Sequence, residues 1–228
     1  IEGDTERILI PTFMRKVDLE EITRLKNEGT EDAFLPLLSQ NISIIEVGAY
    51  SQIFEKFIEF LGIRSLIITD IDSVKIEKQD EKGKDVWGAC PVNEGTKTSN
   101  SAINHFLSGV AWENLKALQV SDRTIAVGNS KVCICYQQEE NGYHARSFED
   151  AFIDINRAFV QGSKATFQGI KNASHFDDDQ KGPYELAANC INKKTHFALD
   201  ILYHSDENFS NWSIPAYIKN GLLWLKED

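Results

Sequence analysis

Apolar and polar positions along the chain repeat with two different periods. ISIIEVG (42–48) and LIITDID (66–72) are short apolar, β-branched runs of the kind buried on both faces of a parallel sheet. Between them YSQIFEKFIEFLGI (50–63) repeats at helical spacing and is closed by Gly62. The opening IEGDTERILIPTFMRKV predicts the end of a strand at Ile1, a tight turn at Gly3 and a helix capped by Asp4 or Thr5. That helix carries Ile8, Leu9, Phe13, Met14 and Val17, with Pro11 expected to kink or break it. The polar stretch Asp18–Asp32 reads as loop with some helix. Strand, helix, strand, helix, strand predicts an α/β fold, a parallel sheet flanked by helices.

The second half continues with mixed signals. Residues 101–119 predict one helix capped by Ser99 or Asn100, and TIAVGNSKVCICY (124–136) is strand-like. A long helix is expected after Arg146, where Ser147 and Asp150 have capping-box spacing. A last periodic segment, THFALDIL, follows Lys193 and Lys194 and places Phe197, Ile201 and Leu202 on one face.

Strand ends are where an open α/β sheet binds its ligands. Glu2, Glu46, Asp70 and Asp72 all fall at predicted strand C-termini, and Glu6 lies one helical turn past the first. Asp70 and Asp72, two apart on one strand, share a facing and repel each other unless a positive charge lies between them. An all-oxygen set of this kind suits Mg²⁺ or Mn²⁺. The competing explanation is that the aspartates only cap the strand end. Glu46 reads as a third-strand ligand or, preferably, as a residue orienting the others. Glu149 and Asp150 are favourable first-turn acids on spacing alone.

Composition narrows the classes. A net charge of −11 over 228 residues argues against a general nucleic-acid surface unless bound cations gather the acids. Cys133 and Cys135 alternate within KVCICY as buried strand positions would, and the five histidines have no zinc-hydrolase spacing. No run approaches a membrane span and no signal peptide is evident, so a cytoplasmic protein is expected. The abrupt start on a strand end predicts a fragment of a longer chain.

EGDTE (2–6) followed by DID (70–72) is similar to the Toprim signature, a Glu-Gly turn after one strand and D-x-D after a later one. EGDTERILIP, IEVGAYSQIFEKFIEFLGI, LIITDIDSV, CPVNEGTKTSN, RSFEDAFIDINRAF, KKTHFALDILY and IPAYIKNGLLWL resemble the C-terminal region of OLD-family (overcoming lysogenization defect) nucleases. The branch most resembled is the Gabija-type one, encoded beside UvrD-like helicases and associated with phage defence.

The resemblance implies a Rossmann-like Toprim core over 1–100. It also implies helical and C-terminal elements over 101–228 that complete the site. It implies DNA cleavage with two Mg²⁺ or Mn²⁺ ions on Glu2, Glu6, Asp70 and Asp72, with Glu2 and Asp70 directly catalytic. A further ligand would come from Glu149 or Asp150. A lysine at the K-x-x-F-A position belongs to that site, which selects Lys194 with Lys193 in reserve; spacing alone makes both surface residues. The implied partners are DNA, an N-terminal ABC-type ATPase domain, a UvrD-like helicase and further copies of the chain, with no membrane. This sequence contains no G-x-x-x-x-G-K-[ST] phosphate loop. Two other classes compete: a non-catalytic Toprim-like assembly module, and a phosphoacceptor receiver, whose acid pair would end the first strand rather than the third.

Overall fold

A computed structural model of the chain describes residues 1–30 and 34–226. Gly3 starts helix α1 (Asp4–Glu28): its N–H donates to the Glu6 carboxylate at 3.0 Å, half of a capping box. Pro11 does not break this helix. It faces solvent, while Leu9, Ile10, Phe13, Met14 and Val17 bury the opposite side, and that burial outweighs one missing N–H. The helix runs far into the stretch expected to be loop and ends at Gly29, in the left-handed conformation, where Thr30 N–H reaches Leu25 O at 3.0 Å. Residues 31 and 32 of that stretch lie outside the described residues. Asp18 is buried because its carboxylate accepts the Leu37 and Leu38 N–H groups at 2.8 and 3.2 Å.

Residues 42–48, expected as a strand, belong to no sheet, and Gly48 at their end turns with φ 62°. Their pairing among the described residues is with one residue: Ile1 N donates to Ile45 O and Val47 N to Ile1 O, both at 3.0 Å, the pattern of a single parallel bridge. The following helix is a 3₁₀ turn (Ser51–Phe54) leading into α2 (Glu55–Leu61), closed as expected by Gly62 at φ 65°. Ile58 packs against the core, but much of the helix's apolar surface is not covered. Ile53, Phe57, Phe60 and Ile63 are exposed beside an apolar groove of about 480 Å³.

Strand β1 (Ser65–Ile68) then enters the sheet that carries the site. β2 (Ser73–Gln79) and β3 (Asp85–Ala89) pair antiparallel, and β4 (Lys97–Thr98) joins the other edge of β2. The expected helix over 101–119 is two: α3 (Ser101–Phe106), capped by Asn100, and α4 (Trp112–Ala117), parted around Gly109 at φ 82°. The strand-like run 124–136 is likewise two strands, β5 (Thr124–Val127) and β6 (Ser130–Cys135), a hairpin turned at Gly128. β1 pairs parallel with β6 and β5 pairs antiparallel with β6, giving the order β1-β6-β5. The sheet is therefore mixed, where a wholly parallel one is expected from the pattern.

Alternation along β1 and β6 splits the core by face. Ile67, Val132 and Ile134 meet Ala102, Ile103 and Leu107 on one side. Ile68, Cys133 and Cys135 meet α1 and the later helices on the other. The two thiols therefore lie side by side, sulfurs 3.6 Å apart, as packing groups.

After the short pair β7 (Glu139–Glu140) and β8 (Tyr143–His144), the long helix expected past Arg146 is α5 (Phe148–Ile155) and α6 (Arg157–Ser163). They part at Asn156, whose side chain pairs with both backbone groups of Ser213, accepting from its N–H at 2.6 Å and donating to its carbonyl at 2.9 Å. α7 (Pro183–Cys190), α8 (Lys194–Tyr203) and α9 (Ala216–Lys226) complete the structure. Phe148, Phe152, Phe197 and Trp212 join α5 and α8 to α1 through aromatic contacts. Among the described residues, no helix is long and apolar enough to cross a membrane.

Candidate metal centre

The C-terminal end of β1 and the N-termini of α1, α5 and α8 meet in one place. Just past β1, Asp70 is partly buried and its Oδ1 accepts from Gln137 Nε2 at 2.6 Å and from Phe148 N, the first residue of α5, at 3.0 Å. Helix-terminal N–H groups favour a carboxylate, which explains why an acid can sit there. Its surroundings oppose the charge: burial, then Glu149 and Glu6, push the Asp70 carboxyl well above the ordinary range, against the pull of Lys194. Glu6, on the first turn of α1, is raised by burial and by the same neighbours, Glu149 and Glu2.

Glu2 lies beside them. Its Oε2 accepts from Thr69 Oγ1 at 2.5 Å and from Asp70 N at 3.3 Å, while Asn100 Nδ2 donates to that hydroxyl at 2.7 Å. Asn100 also accepts the Ala102 and Ile103 N–H groups, so the cap of α3 and the placement of Glu2 share one side chain. Asp72 has φ 48°, a left-handed conformation that an aspartate tolerates better than most side chains. Its carboxylate is paired with the Arg146 guanidinium at 2.8 Å; burial raises the carboxyl and Arg146 opposes the rise.

The two acids of α5 point different ways. Glu149 is buried and its Oε2 accepts from Lys194 Nζ at 3.0 Å. Asp150 turns back on the chain: Oδ1 takes the Ser147 N–H and hydroxyl, both at 2.6 Å, and Oδ2 takes Arg146 N at 2.7 Å and Tyr143 OH at 2.9 Å. Burial still raises its carboxyl, those bonds opposing.

Lys194 opens α8 with its side chain 63% exposed, its ammonium leaning over Glu149. Partial burial works against that charge, but Glu149, Asp70 and Glu6 outweigh it and hold the ammonium above the ordinary lysine range. Lys193 is the residue before the helix, and its carbonyl accepts Phe197 N. This end of α8 is held by Gly169, whose N–H donates to Asp200 at 2.8 Å and whose Cα lies against the backbone of Phe197: a Cβ there would be 2.3 Å from Phe197 N. Glu46 stands apart, on the surface, paired with Arg7 at 3.2 Å.

The structure therefore gathers Glu2, Glu6, Asp70, Asp72, Glu149 and Lys194. Pattern reading missed Arg146, Thr69 and Gln137, which bond the acids directly, and Asn100 and Tyr217, which bond Thr69 and Gln137 in turn. The one available signal for Gln137 was a polar residue directly after the apolar run KVCICY. Among the described residues, no three His, Cys, Asp or Glu groups stand ready to enclose an ion. Asp72 and Glu149 are each turned to a cation of the protein instead. The donor set nevertheless fits a hard divalent ion: it is all oxygen, and burial together with neighbouring acids raises the Glu6 and Asp70 carboxyls, which a cation between them would relieve.

Comparison with known proteins bears on the same residues. The family described as overcoming lysogenization defect protein-like, TOPRIM domain, matches residues 1–72, the stretch that holds Glu2, Glu6, Asp70 and Asp72. Endonuclease GajA of Bacillus cereus (strain HuB5-5) is 30% identical over 200 residues, covering 81% of this chain and 27% of the relative. The chain thus spans about a quarter of the length of that curated relative. No solved structure matches. Residues 1–72 are thus the part of the chain that is similar to the TOPRIM domain of overcoming-lysogenization-defect-like proteins.

Proposed function

We propose that the chain is the nuclease part of a larger protein of OLD or Gabija type and hydrolyses phosphodiester bonds in DNA with divalent metal. The observation that carries this reading is the meeting of Glu6, Asp70 and Glu149, from three separate elements, where burial and then neighbouring acids raise the Glu6 and Asp70 carboxyls and Lys194 pairs with Glu149. Similarity over 81% of the chain to a protein named as an endonuclease supports it.

Two Mg²⁺ or Mn²⁺ ions would be held by Glu2, Glu6, Asp70, Asp72 and Glu149. Once bound, such ions supply an activated water and steady the leaving oxygen. The chain's own part is placement and charge. Gln137 and Phe148 N fix one oxygen of Asp70, and Thr69 fixes one of Glu2. Lys194 offers its ammonium to the negative charge that builds on the phosphate. Asp150, with both oxygens saturated, serves as the cap of α5. Arg146 neutralises Asp72 at 2.8 Å, a role that an ion held there would share. Bound cations also resolve the conflict between a net charge of −11 and a polyanionic substrate. The ATPase domain, the helicase and association with further copies belong to the parent protein in this proposal.

Plasmid nicking tests the reading. Purified chain with Mn²⁺ or Mg²⁺ should convert supercoiled DNA to nicked or linear forms, and EDTA or Asp70→Asn should stop it. An intact supercoiled band under all metal conditions would assign the chain to an assembly role.

A further inference from the structure

Gln137 lies two residues past β6, is 1% exposed, and enters the reading above only as one of two donors to Asp70 Oδ1. Its carboxamide is nonetheless bonded in three directions. Oε1 accepts Ile71 N–H at 2.7 Å, and Nε2 donates both to Asp70 Oδ1 at 2.6 Å and to the hydroxyl of Tyr217 at 3.1 Å. The backbone donor fixes the orientation of the amide, since a flipped group would set its NH₂ against the Ile71 N–H and its oxygen against a carboxylate. Tyr217, on α9, is 2% exposed, and burial with the nearby Asp70 charge pushes its phenol up, so it meets the amide as a neutral hydroxyl.

We propose that Gln137 is a positioning residue for metal binding: it locks the Asp70 carboxylate with Oδ1 turned inward and Oδ2 presented to the cation, tying β6, the D-x-D turn and α9 into one unit. This rests on the metal-dependent reading above. The argument is one of fit. Glutamate at this position would bury a second negative charge against Asp70 and lose both donors. An apolar side chain would leave the Ile71 N–H and one Asp70 lone pair without their buried partners. Glutamine is long enough to span three elements and carries both the donors and the acceptor they require. Gln137 itself faces away from the free oxygen of Asp70 and acts through that residue.

The test is a Mn²⁺ titration by calorimetry on wild type and Gln137→Met, at a temperature where circular dichroism reports both folded, beside single-turnover nicking at saturating protein. Gln137→Met should bind Mn²⁺ about tenfold to a hundredfold more weakly, the range seen when a residue supporting a metal ligand is lost, and nick correspondingly slowly at limiting metal, with DNA affinity unchanged. A residue that serves only the fold would lower the melting temperature and leave Mn²⁺ affinity per folded molecule where it was; that result overturns the inference. Wild type that binds no Mn²⁺ overturns the metal reading and this inference together, whereas wild-type binding with an unaltered variant overturns the inference alone. Should Gln137→Met fail to fold, Gln137→Asn keeps the amide but is one methylene too short to bridge Ile71 and Asp70, and the same loss of affinity is expected of it.

Discussion

The Lys194 ammonium rests 3.0 Å from the Glu149 carboxylate, an ion pair made across 45 residues of chain between the first turns of two helices. One partner is nearly closed off from solvent and the other mostly open to it. Such a pair holds the charge of Lys194 ready on the open side of the acidic centre.

Replacing Lys194 by alanine should therefore slow the chemical step by about two orders of magnitude, as loss of one electrostatic stabiliser does, while DNA affinity moves little. Lys193→Ala should cleave at the wild-type rate. Single-turnover cleavage at saturating protein separates this from a salt-dependent binding defect. Equal rates for wild type and Lys194→Ala would remove the lysine from the mechanism.

Glu149→Gln and Asp150→Asn should part company. The first removes a charge facing Lys194 and should weaken Mn²⁺ binding and cleavage with little loss of stability. The second turns an amide NH₂ toward the donors of Arg146 and Ser147 and should cost about 1–3 kcal/mol of stability with Mn²⁺ affinity unchanged. Calorimetric titration and denaturant unfolding read the two effects; the opposite assignment would make Asp150 the ligand.

The raised carboxyls set a pH dependence. Glu6, Asp70, Asp72 and Asp150 all bind protons more tightly folded than unfolded. Their contribution to stability is thus full below the ordinary carboxylate range and is lost as pH rises through it toward the raised values. In EDTA, wild type should melt at a lower temperature than Asp70→Asn above that window, and the gap should close as pH falls through it. Excess Mn²⁺ should reverse the order by stabilising wild type through binding. Melting curves that coincide at every pH would show that Asp70 carries no such burden.

Gly169→Ala tests how Lys194 is placed. A methyl group driven into the Phe197 backbone must push α8 outward, at about 1–3 kcal/mol. Cleavage should fall through loss of Lys194 geometry, measured as a lower single-turnover rate in protein confirmed folded. A stable, fully active variant would mean the approach can relax without moving Lys194.

How far the sequence can be read depends on what each feature depends on. The apolar run before the D-x-D, the Gly62 stop and the capping box at Asp150 are local, and each appears as expected, whereas α1 is capped by Gly3 and not by Asp4 or Thr5, and β1 ends at Ile68, short of the two aspartates. Pro11 inside α1 was misread because burial of Phe13 and Val17 is a tertiary fact. The run 42–48 has a strand's composition, but among the described residues the one partner of its backbone in another element is Ile1, and a strand needs a neighbour as well as a pattern. In the site, acids at strand ends were visible as residue types. Gln137 and Asp70 are 67 positions apart and Gln137 and Tyr217 are 80, so nothing local announces their contact. Glu149 and Asp150 differ only in where their side chains turn, which the first turn of a helix leaves open.

The hydrogen bonds that hold the acids also divide their atoms into two groups. One oxygen each of Glu2, Glu6, Asp70, Asp72 and Glu149 is occupied by a donor of the chain, and the other meets none among the described residues. Each side chain thereby presents one oxygen unbonded by the chain and a second with one of its lone-pair sites already taken. Five such oxygens fall short of the roughly six that even a single Mg²⁺ gathers. Under the metal-dependent reading proposed above, solvent would complete the shell, and in a hydrolase solvent is the second substrate: with part of each carboxylate given to the chain's own architecture, coordination places would stay open for the water to be activated.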